Sequence, residues 1–338
     1  MKRLFALLVA FSALLNASQS ASSQPLSAKL GVTDTYQIGG ASKWDYSIVD
    51  PELHRLYIAC DNHVQVIDTK TGKRIADIGD LQGAHGIAIV SDKKRGFITS
   101  GRENTVAVFD LHSLKITHKI KTPKGGGKNP DAIIYDPASR KVFAFCAGGD
   151  VLVIDPADLN ASPFPIHVGG KLEYGRADGN GKVFVNNEDK SEIEVIDTKA
   201  MKLIDHWPLA PLETPPGLAI DLKHHRLFAV GENQKMAILD YENGKLLDSV
   251  SIGEGSNGCA FDPKLGVAIS SNGDDGTVTV VAETSPGKFA AVQTIKTAKS
   301  GRTIVDDPTM SRLYIPAILP AHGRKATRFG VLVLGPAK

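Results

Sequence analysis

The sequence predicts an all-β fold: a seven-bladed β-propeller of four-stranded antiparallel blades, with the last blade closed by an N-terminal strand. Three observations support this. Related segments begin at Asp45, His85, Asp131, Glu173, Pro216, Asn257 and Arg302, spaced 40, 46, 42, 43, 41 and 45 residues apart. Each holds four short strand-like runs separated by turn residues, and a period of this length is the mark of propeller blades. An aromatic recurs at a nearly fixed offset, as Tyr57, Phe97, Phe143, Phe184, Phe228 and Tyr314.

Within a copy the elements follow in order. The first strand is a run of small and apolar residues such as "GIAIV", and a turn such as "DPASR" ends it. The second carries the aromatic, as in "RLYIAC" and "KVFAFC". The third ends in "VID" or a variant, at Asp68, Asp110, Asp155, Asp197 and Asp240. A hairpin such as "DTKTGK" leads to a fourth, more polar strand, which suits the rim of a blade. The last copy has only three strands, "RTIVDD", "RLYIPA" and "FGVLVLG". The segment "VTDTYQIGG" (32–40) has the pattern of a fourth strand and no blade of its own. It is expected to complete the last blade, so that no long edge is left open.

Residues 1–22 read as a cleaved secretory signal: Lys2 and Arg3, then an apolar run to Leu15, then small residues around Ser18 to Ser22. Residues 28–338 then form a single domain, and the mature protein is expected to be exported, periplasmic in a Gram-negative host and otherwise secreted. Insertion in a membrane is not expected, because no later stretch is long and apolar enough. Without Lys2 and Arg3 the 39 basic residues fall to 37, equal to the 37 acidic ones, which argues against nucleic acid as a partner. Cys60, Cys146 and Cys259 each lie in or at the end of an apolar run and read as buried, unpaired thiols. A monomer is expected.

The unit at 103–145, with its strand-end Asp110, the Asn129–Pro130 entry and the turn after Asp136, resembles the repeat of the YncE-like, or YVTN-repeat, propellers. The likeness runs over nearly all of the mature chain. It implies an exported propeller, and the wider group of related propellers includes lactonases, lyases and electron-transfer proteins. It therefore speaks for architecture and leaves the chemistry to the site.

The innermost strand of each blade starts at one mouth of the central channel, so the seven starting residues should ring that mouth. Asp45, His85, Asp131 and Glu173 come from consecutive blades, and Asn257 and Arg302 from the last two. Asp131, Glu173, Asn257 and His85 could hold a divalent metal, Ca²⁺, Mn²⁺ or Zn²⁺. His85 and Glu173 could act as general base or acid, because crowded carboxylates push each other's pKa apart. Arg302 could clamp a substrate carboxylate or pair with Asp45. A solvated ring of ion pairs would show the same residues.

Loops between second and third strands should surround this mouth, and they add Arg102, Asn187, Glu188 and Glu232 as candidates. Turn chemistry alone also favours such residues. The segment 317–328, with His322, Arg324, Lys325 and Arg328, could form a basic lid or a plain surface loop. Other motifs fail. "KGGGK" (124–128) lacks the spacing of a phosphate loop, and "KHH" (223–225) lacks further ligands. Without Cys-x-x-Cys-His there is no covalent haem, and without Gly-x-Ser-x-Gly no common hydrolase elbow. Trp44, one of only two tryptophans, borders the ring and is expected to pack the channel wall.

Three readings of function follow. The first is a binding protein that presents the mouth to a small molecule or protein partner. The second is a metal-dependent hydrolase or lactonase using the same ring. The third is a structural scaffold for protein interactions.

Overall fold

The structure, a computed structural model, describes residues 29–337 except 125, 163, 308 and 321–326. It contains seven four-stranded antiparallel sheets. Their innermost strands are Ser47–Asp50, Ala84–Val90, Pro130–Asp136, Leu172–Ala177, Gly217–Asp221, Ser256–Asp262 and Val305–Asp307, defining blades 1 to 7 in order. Innermost strands of neighbouring blades pack side by side, and blade 1 meets blade 7, so the ring closes. Only two single-turn 3₁₀ segments interrupt the β structure among the described residues.

Each blade is buried on both faces by its neighbours, so its middle strands are continuously apolar: Arg55–Cys60 and Lys141–Cys146 are buried at every position after the first. Tyr57, Phe97, Phe143, Phe184, Phe228 and Tyr314 are all 2% exposed or less. Each contributes roughly 2–3 kcal/mol by leaving water. The outermost strands are largely exposed, as in Arg74–Ile78, where Ile78 alone is buried.

The strand Leu30–Gln37 pairs antiparallel with Thr327–Pro336 and supplies the fourth strand of blade 7, as the sequence predicts. Side chains clamp the joint. Gln293 of blade 6 exchanges two hydrogen bonds with the Leu30 backbone, and the Tyr36 hydroxyl donates to the Thr69 carbonyl of blade 1. The second strand of blade 7, Arg312–Pro320, and its partner Thr327–Pro336 run further than expected, so the described residues of the segment 317–328, 317–320 and 327–328, are the paired ends of these two strands. Arg328 sits within it as an exposed strand residue. His322, Arg324 and Lys325 lie outside the described residues, as does the segment 1–22.

The strand-end aspartates are turn-formers. Asp68 accepts backbone N–H bonds from Lys70 and Thr71, Asp110 from His112 and Ser113, and Asp197 from Lys199 and Ala200. A second set does the same after the innermost strand: Asp50, Asp136, Asp221, Asp262 and Asp307 each accept two backbone N–H bonds. Cys60, Cys146 and Cys259 are buried and unpaired, and burial pushes the Cys60 and Cys259 thiols up to about 12. No described helix is long and apolar enough to cross a membrane.

Candidate functional site

The channel mouth is built by the residues at which the innermost strands begin. Asp45 is held by its own backbone: its N–H donates to the Ala59 carbonyl, and its carbonyl accepts from Thr303 Oγ1 of blade 7. The carbonyl of Asp131 accepts from Thr99 Oγ1 of blade 2. These blade-to-blade bonds bring the first three ring residues together. His85 Nδ1 lies 2.7 Å from Asp45 Oδ2 and 3.5 Å from Asp131 Oδ1. A carboxylate can only accept, so Nδ1 carries the proton. One ligand atom from each of Asp45, His85 and Asp131 falls within 4.8 Å of the others.

Glu173, the fourth, is engaged differently. The Tyr46 hydroxyl donates to its Oε2, and Lys171 Nζ lies 2.7 Å from its Oε1. Lys171 also bridges to Glu188 at 2.5 Å. The set brought together for a cation is therefore Asp45, His85 and Asp131, with Glu173 beside it as a bound neighbour. Asn257 is half-buried on blade 6, and its side chain makes no hydrogen bond to the described residues.

The electrostatics follow from burial. Desolvation, aided by the Glu173 charge, raises the Asp131 carboxyl to about 7, against the lowering pull of His85. Burial and the Glu188 charge raise Glu173, opposed by Lys171 and Tyr46. The hydrogen bond to Asp45 raises His85, against its own desolvation. At neutral pH the mouth holds more carboxyl groups than it can comfortably ionise, and a cation placed among them relieves that repulsion.

Above the cluster lies a concavity of about 450 Å³ lined by Lys43, Trp44, Asp61, Arg102, Ser300 and Arg302, among others. Arg102 is tied to Asp61 at 2.6 Å. Arg302 bonds only weakly to the Trp44 carbonyl, at 3.4 Å, and forms no ion pair with Asp45. Trp44 packs against Phe329 with ring centroids 5.1 Å apart, so it does line the wall. Asn187 turns inward instead: it is fully buried and donates to the Gly169 carbonyl and to Glu194 of its own blade. Glu232 is exposed on its loop, where its backbone N–H bonds Glu213.

Sequence reasoning missed Tyr46 and Lys171. Both sit one or two residues from a ring position, and period-2 alternation hides them as wall residues. A larger concavity, about 780 Å³, lies at the outer edge of blades 2 and 3 beside His118, Lys121 and Phe164. Its titratable lining residues, His118, Lys119, Lys121 and Lys124, are all basic, with no carboxylate among the described ones.

Fold and site define a β-propeller with an ionisable cluster at one channel mouth. No protein-family model matches the chain, and no curated protein matches it. Among solved structures it is similar to a chain of Kuenenia stuttgartiensis hydrazine synthase, with a TM-score of 0.66 and 14% identity over 84% of this chain and 94% of that one. At that identity the likeness concerns the fold alone.

Proposed function

We propose that this is a binding protein that takes a small anionic ligand at the channel mouth, without turning it over. The observation behind this reading is that Asp45 and His85 of the cluster line the same concavity as Arg302 and Lys43, two cations that form no ion pair among the described residues. An anionic group would meet Arg302 and Lys43, while a hydroxyl or amine would bond Asp45 and His85. We place it among the exported YVTN-repeat propellers; export rests on the signal-like residues 1–22 and the family on the repeat.

The test is calorimetric titration of the full chain with hydroxycarboxylates and sugar phosphates. The reading expects one of these to bind, and Arg302→Gln and His85→Ala each to weaken it about tenfold or more with little loss of stability. Indifference of both variants would sink it.

A metal-dependent hydrolase is the second reading, favoured by three ligand atoms within 4.8 Å and by a carboxyl that titrates at about 7. An imidazole with two carboxylates suits Zn²⁺ or Mn²⁺ better than Ca²⁺. Metal would displace the His85 proton and require Asp131 ionised, so affinity should rise from pH 6 to pH 8. Metal analysis of chelator-free protein decides: about one equivalent in the wild type, lost in Asp45→Ala and Asp131→Ala, supports it, and lactone and ester hydrolysis would then be assayed. The scaffold reading gains from neither result.

A further inference from the structure

Below the mouth, Tyr46 fills the channel. It is 6% exposed, its ring meets Tyr174 edge-on at 4.8 Å, and its hydroxyl bonds Glu173. Beneath it lies a second chamber, about 300 Å³, lined by residues of blades 1, 4, 5, 6 and 7. The half-buried positions on the innermost strands here are mostly apolar: Ile48, Ile89, Ile134, Ile220 and Phe261. Arg176 and Asp306 break that pattern, and both line the chamber.

These two charges face the cavity without meeting. Each responds to the other's charge, yet among the described residues they form no direct ion pair. The Arg176 guanidinium lies over the Tyr174 ring at 4.4 Å, which orients it and leaves its fork free of carboxylate partners. The neighbouring acids are otherwise engaged, Asp262 and Asp307 in backbone turns. Ser47 adds an independent sign: it is 7% exposed, lines the chamber, and its Oγ has no hydrogen-bond partner among the described residues. Buried polar groups left apart in an apolar cavity cost stability unless something bridges them.

We propose that this lower chamber binds a small zwitterion of the α-amino acid or betaine type, its carboxylate on Arg176 and its cationic nitrogen on Asp306. One positive and one negative wall group match a ligand of zero net charge, whereas a simple anion would leave Asp306 uncompensated. The planar fork of Arg176 suits a carboxylate held bidentately. Ser47 Oγ supplies a further bond, and Phe261, stacked on Phe228 with centroids 5.4 Å apart, gives a fixed apolar wall for the side chain or methyl groups. A cavity of this volume takes a small ligand and little more.

The experiment is calorimetric titration of the full chain with L-valine and glycine betaine, with propionate and butylamine as the half-ligands. At least one zwitterion should bind more tightly than either half-ligand. Arg176→Gln and Asp306→Asn should each weaken it about tenfold or more, Ser47→Ala less, and His85→Ala at the mouth not at all. If Arg176→Gln does not fold, Arg176→Lys keeps the charge but loses the fork, and it should still weaken binding several-fold. The proposal falls if the wild type binds no zwitterion. It also falls if propionate binds as well as valine and Asp306→Asn changes nothing, or if the loss follows His85 instead of the chamber residues.

Discussion

The molecule uses aspartate in two opposite ways, at blade turns and at the channel mouth. Asp110 and Asp197 sit half-buried at strand ends, and their carboxylates accept backbone N–H bonds that hold them below the usual carboxylate range. Asp131 lies at the mouth with no backbone donor, and burial among other carboxyls raises it to about 7. The same side chain is thus kept charged where it shapes the backbone and kept near its protonation point where it faces the channel. The turn aspartates recur from blade to blade, whereas the mouth residues differ in identity around the ring. A repeated carboxylate serves the architecture, and a varied one is free for chemistry.

The contrast breaks most visibly at Asp136, which is fully buried and caps the turn at Ala138 and Ser139. Asp136→Ala should cost about 3 kcal/mol in urea unfolding, since it removes a buried side chain that accepts three hydrogen bonds. Asp131→Asn, five residues earlier, should cost nothing or stabilise slightly. Equal losses at the two positions would erase the distinction.

A smaller effect separates them by pH. The Asp131 carboxyl, raised above its unfolded value of about 4, binds more protons in the folded state, so its contribution to stability is lost as pH rises from about 4 through 7. His85, also raised, adds stability below its unfolded value of about 6.5 and loses it as pH rises through its folded value. Stability should therefore fall by roughly 2 kcal/mol between pH 5 and pH 8, and Asp131→Asn should flatten that slope. The turn aspartates act with the opposite sign: their stabilisation is present above pH 4 and lost on further acidification. Unfolding curves at pH 3, 5.5 and 8 distinguish the two groups.

The smallest effect is expected at an exposed turn. Asp110→Ala should lower the melting temperature by about 2 °C or less, because its bonds compete with water. A drop as large as that of Asp136→Ala would mean that burial does not govern these turns.

By itself the sequence determined the blade count, the strand order, the buried aromatics, the turn aspartates and the closing strand, read at 32–40 and found at Leu30–Gln37. These depend on local periodicity and on contacts within a blade, which recur from blade to blade and so are legible in the chain. It also placed Asp45, His85, Asp131 and Glu173 at one mouth. Tertiary structure alone decided that His85 meets Asp45 and Asp131, that Tyr46 and Lys171 claim Glu173, and that Asn187 turns into its blade. The same is true of the placement of Arg176 and Asp306, unpaired among the described residues, on the wall of the lower chamber. Irregular registers in the innermost strands, at Ala84/Ile87, Pro130/Ile133, Leu172/Gly175 and Ser256/Gly258, set how far each side chain sits along the channel. Residues on different blades then meet through the closure of the ring, which brings together positions far apart in the chain and leaves no periodic trace in it.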